Sequence, residues 1–206
     1  MRPAVLTVPA IAAAVLLTAA CATDRPVSTT PVTSVTASQP SAPASGKAGG
    51  TGSGTTTVAA CRTRDVSAVI TAQPERTDGT TRMAMVTLTN TTKHACAVDG
   101  WVSISLVNAA DEVVPVKTTR VDQPGAPVRT TLRPGTTAFA GLKWTACDKG
   151  DASCGAGNTL RFNLEASTDG DVAELEGFPN PAASDITMTK LQLGSLQPSR
   201  QGVVAW

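Results

Sequence analysis

The chain has 206 residues, enough for one ordinary domain with appended segments. Its 17 Lys and Arg balance 16 Asp and Glu, and within residues 61–206 the net charge is 14 − 15 = −1. Because nucleic-acid binding requires a concentrated basic face, and these basic residues are scattered among acidic ones, the composition argues against a nucleic-acid partner. Three Phe, three Trp and no Tyr leave Val, Leu, Thr and Ala to fill the core. That composition favours strands, because β-branched side chains fit a pleated sheet.

Residues 1–20 have the pattern of a secretion signal. A short positive start, Met1-Arg2-Pro3, precedes an uncharged and mostly apolar run from Ala4 to Ala20. This run has the length of a signal core. It is too short and too rich in alanine for a membrane-spanning helix, which needs about 20 strongly apolar residues. The sequence therefore predicts export.

The residues that end this signal, Leu17-Thr18-Ala19-Ala20-Cys21, resemble the lipobox of bacterial lipoproteins. The resemblance implies that Cys21 is diacylated on its sulfur and becomes the first residue of the mature protein. Two or three acyl chains, at about 0.8 kcal/mol per buried methylene, would hold the protein stably where one chain would not. The protein is therefore expected at the outer face of the cell membrane. A cleaved signal followed by a chance cysteine is the alternative.

Residues 21–60 comprise the lipidated cysteine and a linker. Of the 39 residues from 22 to 60, 31 are Ser, Thr, Pro, Gly or Ala. Such a segment buries too little apolar area to offset its chain entropy, so it is predicted to be disordered. As a flexible coil it would span roughly 35 Å. We interpret it as a spacer, whose Ser and Thr residues are hypothetical glycosylation sites, in front of a folded domain at residues 61–206.

Short runs of alternating apolar and polar residues follow, the period of strands with one buried face. Strands are predicted at 65–72, 84–88, 102–107, 137–145 and 160–164, with further strand material at 113–116, 186–193 and 202–205. The polar run 90–94 is interpreted as the turn of a central hairpin whose return strand begins near Ala95 and contains Cys96. Residues 118–129 are predicted to be a loop, and residues 172–184 to be irregular. Seven to nine short strands predict an all-β fold, a single antiparallel immunoglobulin-like β-sandwich.

Two details place individual strands within this fold. Pro115 donates no backbone hydrogen bond, so the strand that contains it is predicted to lie at an edge. In the strand 137–145, the alternation predicts that one set of side chains faces the core: Ala138, Ala140, Leu142 and Trp144.

Four cysteines remain for the exported domain once Cys21 is assigned to lipid, and four cysteines allow three pairings. Cys147 and Cys154 are close in sequence and flank a loop that would close readily. This leaves Cys61 to pair with Cys96, which would tie the start of the domain to the central hairpin. A four-thiolate metal site is the alternative, but the spacings lack the paired Cys-x-x-Cys knuckles of zinc ribbons.

A series of short motifs resembles one known family. In chain order the motifs are Cys61, Leu88-Thr89-Asn90, Cys96, Gly100-Trp101, Leu132-Arg133-Pro134-Gly135 and Leu142-Lys143-Trp144. Over about residues 61–196 the chain is similar to the actinobacterial exported domain called domain of unknown function 4232. The resemblance implies a lipoprotein or membrane-attached module with a sandwich fold, and it supplies no catalytic residue.

Few residues indicate catalysis. Hydrolysis by a Ser or Cys nucleophile normally needs a base, and His94, the one histidine, is expected to be exposed in a polar turn. No nucleophile-elbow motif accompanies it. Glu174 and Glu176 could be the carboxylate pair of a glycosidase, but we interpret them as solubilising residues of a loop. The protein is therefore predicted not to be an enzyme.

The preferred hypothesis is a membrane-anchored envelope lipoprotein whose domain binds or scaffolds another envelope protein or a cell-wall glycan, as a monomer and without a cofactor. Recognition is expected from loops at about 74–81, 118–129 and 170–184, because rigid sandwiches present binding residues on loops. Two alternatives remain. Met83, Met85 and His94 could serve an envelope copper carrier, since thioether and imidazole ligands suit copper. A cell-wall-acting enzyme is the other.

Overall fold

The computed structural model describes residues 57–165 and 169–206. The predicted signal at 1–20, the lipidation of Cys21 and nearly all of the predicted linker lie outside these residues. Across the described residues the protein is all-β, with fourteen strands and three 3-10 helices of three residues each, at Thr63–Asp65, Pro74–Arg76 and Pro181–Ala183. In this part of the chain no helix has the length and apolar character needed to cross a membrane.

The strands form four sheets. In chain order they are β1 (Val66–Ala72), β2 (Thr81–Asn90), β3 (Cys96–Val98), β4 (Ser103–Val107), β5 (Val113–Val114), β6 (Lys117–Arg120), β7 (Thr130–Leu132), β8 (Thr137–Thr145), β9 (Gly155–Gly157), β10 (Thr159–Asn163), β11 (Asp171–Val172), β12 (Glu174–Glu176), β13 (Ile186–Met188) and β14 (Lys190–Leu193). The six-stranded sheet has the order β12-β1-β2-β8-β14-β6, and the four-stranded sheet has the order β11-β10-β4-β5. The remaining strands form the pairs β13-β9 and β3-β7.

One hydrophobic core is shared by all four sheets. Its members include Ile70, Val86, Leu88 and Leu191 from the six-stranded sheet, Leu106, Leu160 and Phe162 from the four-stranded sheet, and Val98, Leu132, Ile186 and Met188 from the two pairs. The predicted core face of β8 is confirmed, because all four of its side chains are buried: Ala138, Ala140, Leu142 and Trp144.

The predicted central hairpin is wrong. β3 pairs with β7 in a different sheet, because both edges of β2 are already occupied by β1 and β8. The buried side chain of Asn90 holds the chain where it leaves β2. Its Nδ2 donates to the carbonyl oxygens of His94 at 2.8 Å and Leu132 at 2.9 Å, and its Oδ1 accepts from the Thr92 amide at 2.9 Å. The polar run after β2 is therefore a crossover between sheets.

The structure also corrects the purely antiparallel prediction. β12 runs parallel to β1, and β6 runs parallel to β14. Both strands lie wholly or largely in segments predicted to be loop or irregular. All four residues of β6 are exposed, so the strand shows no alternation that could identify it. β5 lies at a sheet edge, as predicted for the segment with Pro115, although it ends at Val114. The predicted strand at 202–205 is absent from the described structure, because residues 201–204 form turns and Ala205 is irregular.

Residues 198–206, which we call the C-terminal strap, cover the outer face of β8. Val203 of the strap is completely buried, and the Trp206 Nε1 donates to its carbonyl oxygen at 2.7 Å. The Lys143 Nζ lies 5.5 Å from the centroid of the Trp206 ring. The strap thus shields part of the outer face of the six-stranded sheet from solvent.

Gly141 is the position at which the strap approaches β8 most closely. A Cβ there would overlap with the Val203 carbonyl oxygen and lie 2.9 Å from the Trp206 Nε1. Gly141→Ala is therefore expected to lower the free energy of unfolding by about 1–3 kcal/mol through overpacking, measured by urea denaturation. In a chain ending at Gln197 the same substitution should cost less than about 0.5 kcal/mol, because the clashing atoms are gone. An equal cost in both chains would contradict this role for the strap.

Candidate functional site

The long strands β2 and β8 have two ends of different character, and the chain enters the domain at one of them. Ala60 forms a parallel bridge with Ala97, just before β3 reaches Val98. A disulfide joins Cys61 to Cys96 at the same place. This entry end lies beside Asn90, because β7, the partner of β3, accepts the Asn90 hydrogen bond at Leu132.

The opposite end, which we call the distal end, lies where Thr81 of β2 pairs with Thr145 of β8. The second disulfide, between Cys147 and Cys154, follows directly after β8. Since a strand rises about 3.3 Å per residue, the length of β2 separates the two ends by roughly 30 Å.

A cleft of about 240 Å³ opens at the distal end. Most of the side chains that line it are apolar: Ala72, Pro74, Met83, Trp144, Ala146, Phe178, Pro179 and Ile186. The rings of Trp144 and Phe178 stack with their centroids 5.7 Å apart and their planes 11° from parallel. Two of the three loops expected to present recognition, at about 74–81 and 170–184, meet here. The loop 118–129 contributes no residue to this cleft.

The parallel strand β12 carries Phe178 to the cleft. Its last residue, Glu176, pairs with Thr71 of β1, and the Thr71 hydroxyl donates to the Glu176 carboxylate at 2.7 Å. Gly177 follows with φ of +71°, a conformation that glycine adopts without strain. The chain therefore turns directly after β12 and places the half-buried Phe178 against Trp144.

Polar groups on the rim of the cleft are already engaged within the protein. The Arg82 Nη1 donates to the carbonyl oxygens of Gly79 at 2.6 Å and Thr81 at 3.0 Å. Asp185 is paired with the Lys149 Nζ at 2.5 Å. These contacts hold the Arg82 guanidinium and the Asp185 carboxylate at fixed places beside the apolar cavity.

The disulfide-closed loop packs beside the cleft through Thr187. The Thr187 hydroxyl donates to the Cys147 carbonyl oxygen at 2.9 Å and accepts from the Cys147 amide at 3.3 Å. The Cys147–Cys154 disulfide therefore stiffens the chain next to the rim.

The proposed copper ligands do not come together. Met83 and Met85 lie on β2, whereas His94 is exposed at the entry end, where Asn90 binds its carbonyl oxygen. Along β2 roughly 16 Å separates Met85 from Asn90. Across residues 57–165 and 169–206, no group of three or more His, Cys, Asp and Glu side chains could hold a metal ion.

Glu174 and Glu176 are exposed on β12, one strand that the sequence did not predict. They share one face of this edge strand, and Glu176 is bound to Thr71.

The sequence reasoning missed the pairing of Trp144 with Phe178. The turn Gly177-Phe178-Pro179 was a visible signal, but nothing in the sequence indicated which strand it would reach.

The fold and the cleft define an all-β, disulfide-linked domain with an apolar site at one end. A family model described as Domain of unknown function (DUF4232) matches residues 61–197. The chain belongs to this family, as its motifs suggested. Neither the curated proteins nor the solved structures contain a match to the chain. The matched range includes both disulfides and the residues of the cleft, and it ends just before the C-terminal strap.

Proposed function

We propose that the protein is an exported, lipid-anchored component of the cell envelope, and that its immunoglobulin-like sandwich binds another envelope protein in the distal cleft without catalysing a reaction. The observation that carries this proposal is the Trp144–Phe178 stack in an apolar cleft between two loops. Apolar pockets with a few convergent polar groups are the usual binding sites of proteins. Loops on a rigid sheet scaffold are the usual places to find them.

The size of the cleft favours a protein partner. Its volume of about 240 Å³ is below the usual range for a complete small-molecule ligand. It suits a single apolar side chain, and interfaces often depend on a few such anchors inserted into a pocket. A cell-wall glycan is the second candidate for the ligand.

Binding without catalysis is supported by the state of the titratable groups that line the cleft. The Arg82 guanidinium is bonded to backbone carbonyl oxygens, and the Asp185 carboxylate is paired with Lys149. A guanidinium cannot accept a proton at neutral pH, and the Asp185 carboxylate is held in an ion pair, so neither group supplies the free base that a Ser or Thr nucleophile normally needs.

The position of the cleft is consistent with a tethered protein. If Cys21 carries lipid, the linker reaches the domain at the entry end, and the cleft lies roughly 30 Å away at the other end of β2.

Phe178→Ala tests this proposal. We expect it to reduce the capture of the partner at least tenfold, because truncation of a central aromatic anchor typically costs about 2 kcal/mol or more. The full chain would be cross-linked in intact envelope, and the captured proteins would be quantified by mass spectrometry.

The matched control is Val128→Ala, because Val128 is 45% exposed and lies in the loop that does not reach the cleft. Its capture should equal that of the unmodified chain. Equal capture by the Phe178 and Val128 variants, with unchanged thermal unfolding, would exclude the cleft as the binding site.

A further inference from the structure

Three lysines cross the outer face of the six-stranded sheet at the distal end. Lys143 lies on β8, Lys190 on β14 and Lys117 on β6, which are neighbouring strands. Lys190 and Lys117 are direct partners in the ladder, so their Cβ atoms lie about 5 Å apart. Lys143 is opposite Gln192, two residues along β14 from Lys190, which gives a diagonal separation of roughly 7–8 Å. These side chains concentrate positive charge in a domain whose net charge is −1.

Within the described part of the chain, no carboxylate forms an ion pair with these lysines. The ion pairs found among residues 57–165 and 169–206 are Lys149–Asp185 and Arg161–Asp111. Like charges directly opposite each other on neighbouring strands are destabilising, so the free protein loses stability by this arrangement.

Protection of a sheet edge explains only part of the pattern. A lysine on an exposed edge strand discourages pairing with other chains, which accounts for Lys117 on β6. Lys143 and Lys190, however, lie on the interior strands β8 and β14. Their proximity to Lys117 requires another explanation.

A groove of about 290 Å³ lies among the three lysines. Thr81, Thr119 and Gln192 also line it and add neutral hydrogen-bond donors. Lysine binds phosphate as a compact point charge, whereas the planar fork of arginine suits bidentate contacts. Among the described residues that line this groove there is no arginine. The chemistry of the groove therefore matches phosphoryl oxygens.

The spacing of the lysines indicates more than one phosphoryl group. The Lys117 and Lys190 pair forms one centre of charge, and Lys143 forms a second centre several ångströms away. We infer that this lysine groove binds a ligand carrying two or more phosphoryl groups. Trp144 lines both the groove and the cleft, but none of the three lysines lines the cleft, so the inference does not depend on the function proposed above.

The ligand is a soluble or chain-like molecule with neighbouring phosphoryl groups, because the headgroup of a common phospholipid such as phosphatidylglycerol carries only one. Binding to a membrane surface instead is an outcome that the test distinguishes.

Titration of the full chain with inorganic pyrophosphate tests this inference. The protein would be held in nonionic detergent at constant ionic strength, with binding followed by calorimetry. We expect Lys117→Gln combined with Lys190→Gln to weaken binding at least tenfold, and orthophosphate to bind at least tenfold more weakly than pyrophosphate. The matched control is Lys93→Gln combined with Arg133→Gln, two exposed residues away from the groove; it removes the same charge and should change the affinity less than twofold.

The Lys117/Lys190 variant should be at least as resistant to urea as the unmodified chain, because a repulsion has been removed. Three results would overturn the inference: no pyrophosphate binding by the unmodified chain, equal losses in the two double variants, or binding to phosphatidylglycerol vesicles without binding to pyrophosphate. A lysine variant that unfolds more easily would contradict the repulsion on which the argument depends.

Discussion

Replacing Asn90 with Asp is expected to lower the free energy of unfolding by about 2–5 kcal/mol at pH 7. The two side chains have the same shape, but an ionised carboxylate has no N–H group to donate. The carbonyl oxygens of His94 and Leu132 would then lose their partner. Each buried polar group left unsatisfied costs about 1–3 kcal/mol, and Asn90 is 1% exposed. Urea denaturation at pH 7 would measure the loss.

The control for this prediction is Asn108→Asp, the same change in an exposed turn. The Asn108 Oδ1 accepts from the amides of Ala110 and Glu112, and a carboxylate can retain both contacts. The change would lose only the exposed hydrogen bond that the Asn108 Nδ2 donates to the Glu112 carboxylate at 3.0 Å. We expect this variant to lose less than about 1 kcal/mol. Equal losses at the two positions would mean that the Asn90 amide does not hold the crossover between the sheets.

Removal of the Cys61–Cys96 disulfide, with both cysteines replaced by Ala, should lower the free energy of unfolding by about 4 kcal/mol. The bond closes a loop with a sequence separation of 35 residues, whereas Cys147–Cys154 closes one of 7. In the chain-entropy description the longer loop restricts the unfolded chain more, and the shorter bond should contribute about 2 kcal/mol.

Urea denaturation of both double variants under non-reducing conditions measures the difference between the two disulfides. The Cys147 and Cys154 variant serves as the internal comparison, because it also loses one bond and two sulfurs. A larger loss of unfolding free energy in the Cys147 and Cys154 variant would contradict the prediction that the disulfide closing the longer loop contributes more.

Strands with a clear period of two were predictable from sequence. β1, β4, β8 and β10 were each expected within one or two residues of their bounds, because one face of each is packed on the shared core. The buried set on β8 follows the same logic. In these strands the alternation of apolar and polar residues is long or regular enough to predict which side chains are buried.

Other strands were not predictable because distant parts of the chain create them. β6 is exposed on both faces, and its partner β14 lies about seventy residues later in the chain. β12 has only three residues and pairs with β1, more than one hundred residues earlier. The hairpin error has a related cause, since nothing local to β3 shows that the edges of β2 are taken by β1 and β8.

The candidate sites depend on these same long-range pairings. Trp144 was expected in the core and the turn at Phe178 was visible, but their stacking requires β12 to run parallel to β1. The lysine groove likewise requires the register that sets Lys190 against Lys117. Sequence indicated the participating residues of the cleft only in part, and it gave no signal for the groove.

The covalent link at the entry end has a mechanical consequence. A pull on the chain ahead of residue 57 first loads the short bridge at Ala97, whose amide donates to the Ala59 carbonyl oxygen at 2.8 Å and whose carbonyl oxygen accepts from the Cys61 amide at 2.8 Å. Once these bonds yield, tension passes through sulfur to Cys96 and β3, and bypasses β1. A force on this terminus is therefore carried by the Cys61–Cys96 disulfide. β1, which pairs with the strand β12 that precedes Phe178, bears none of this force and keeps its place in the sheet.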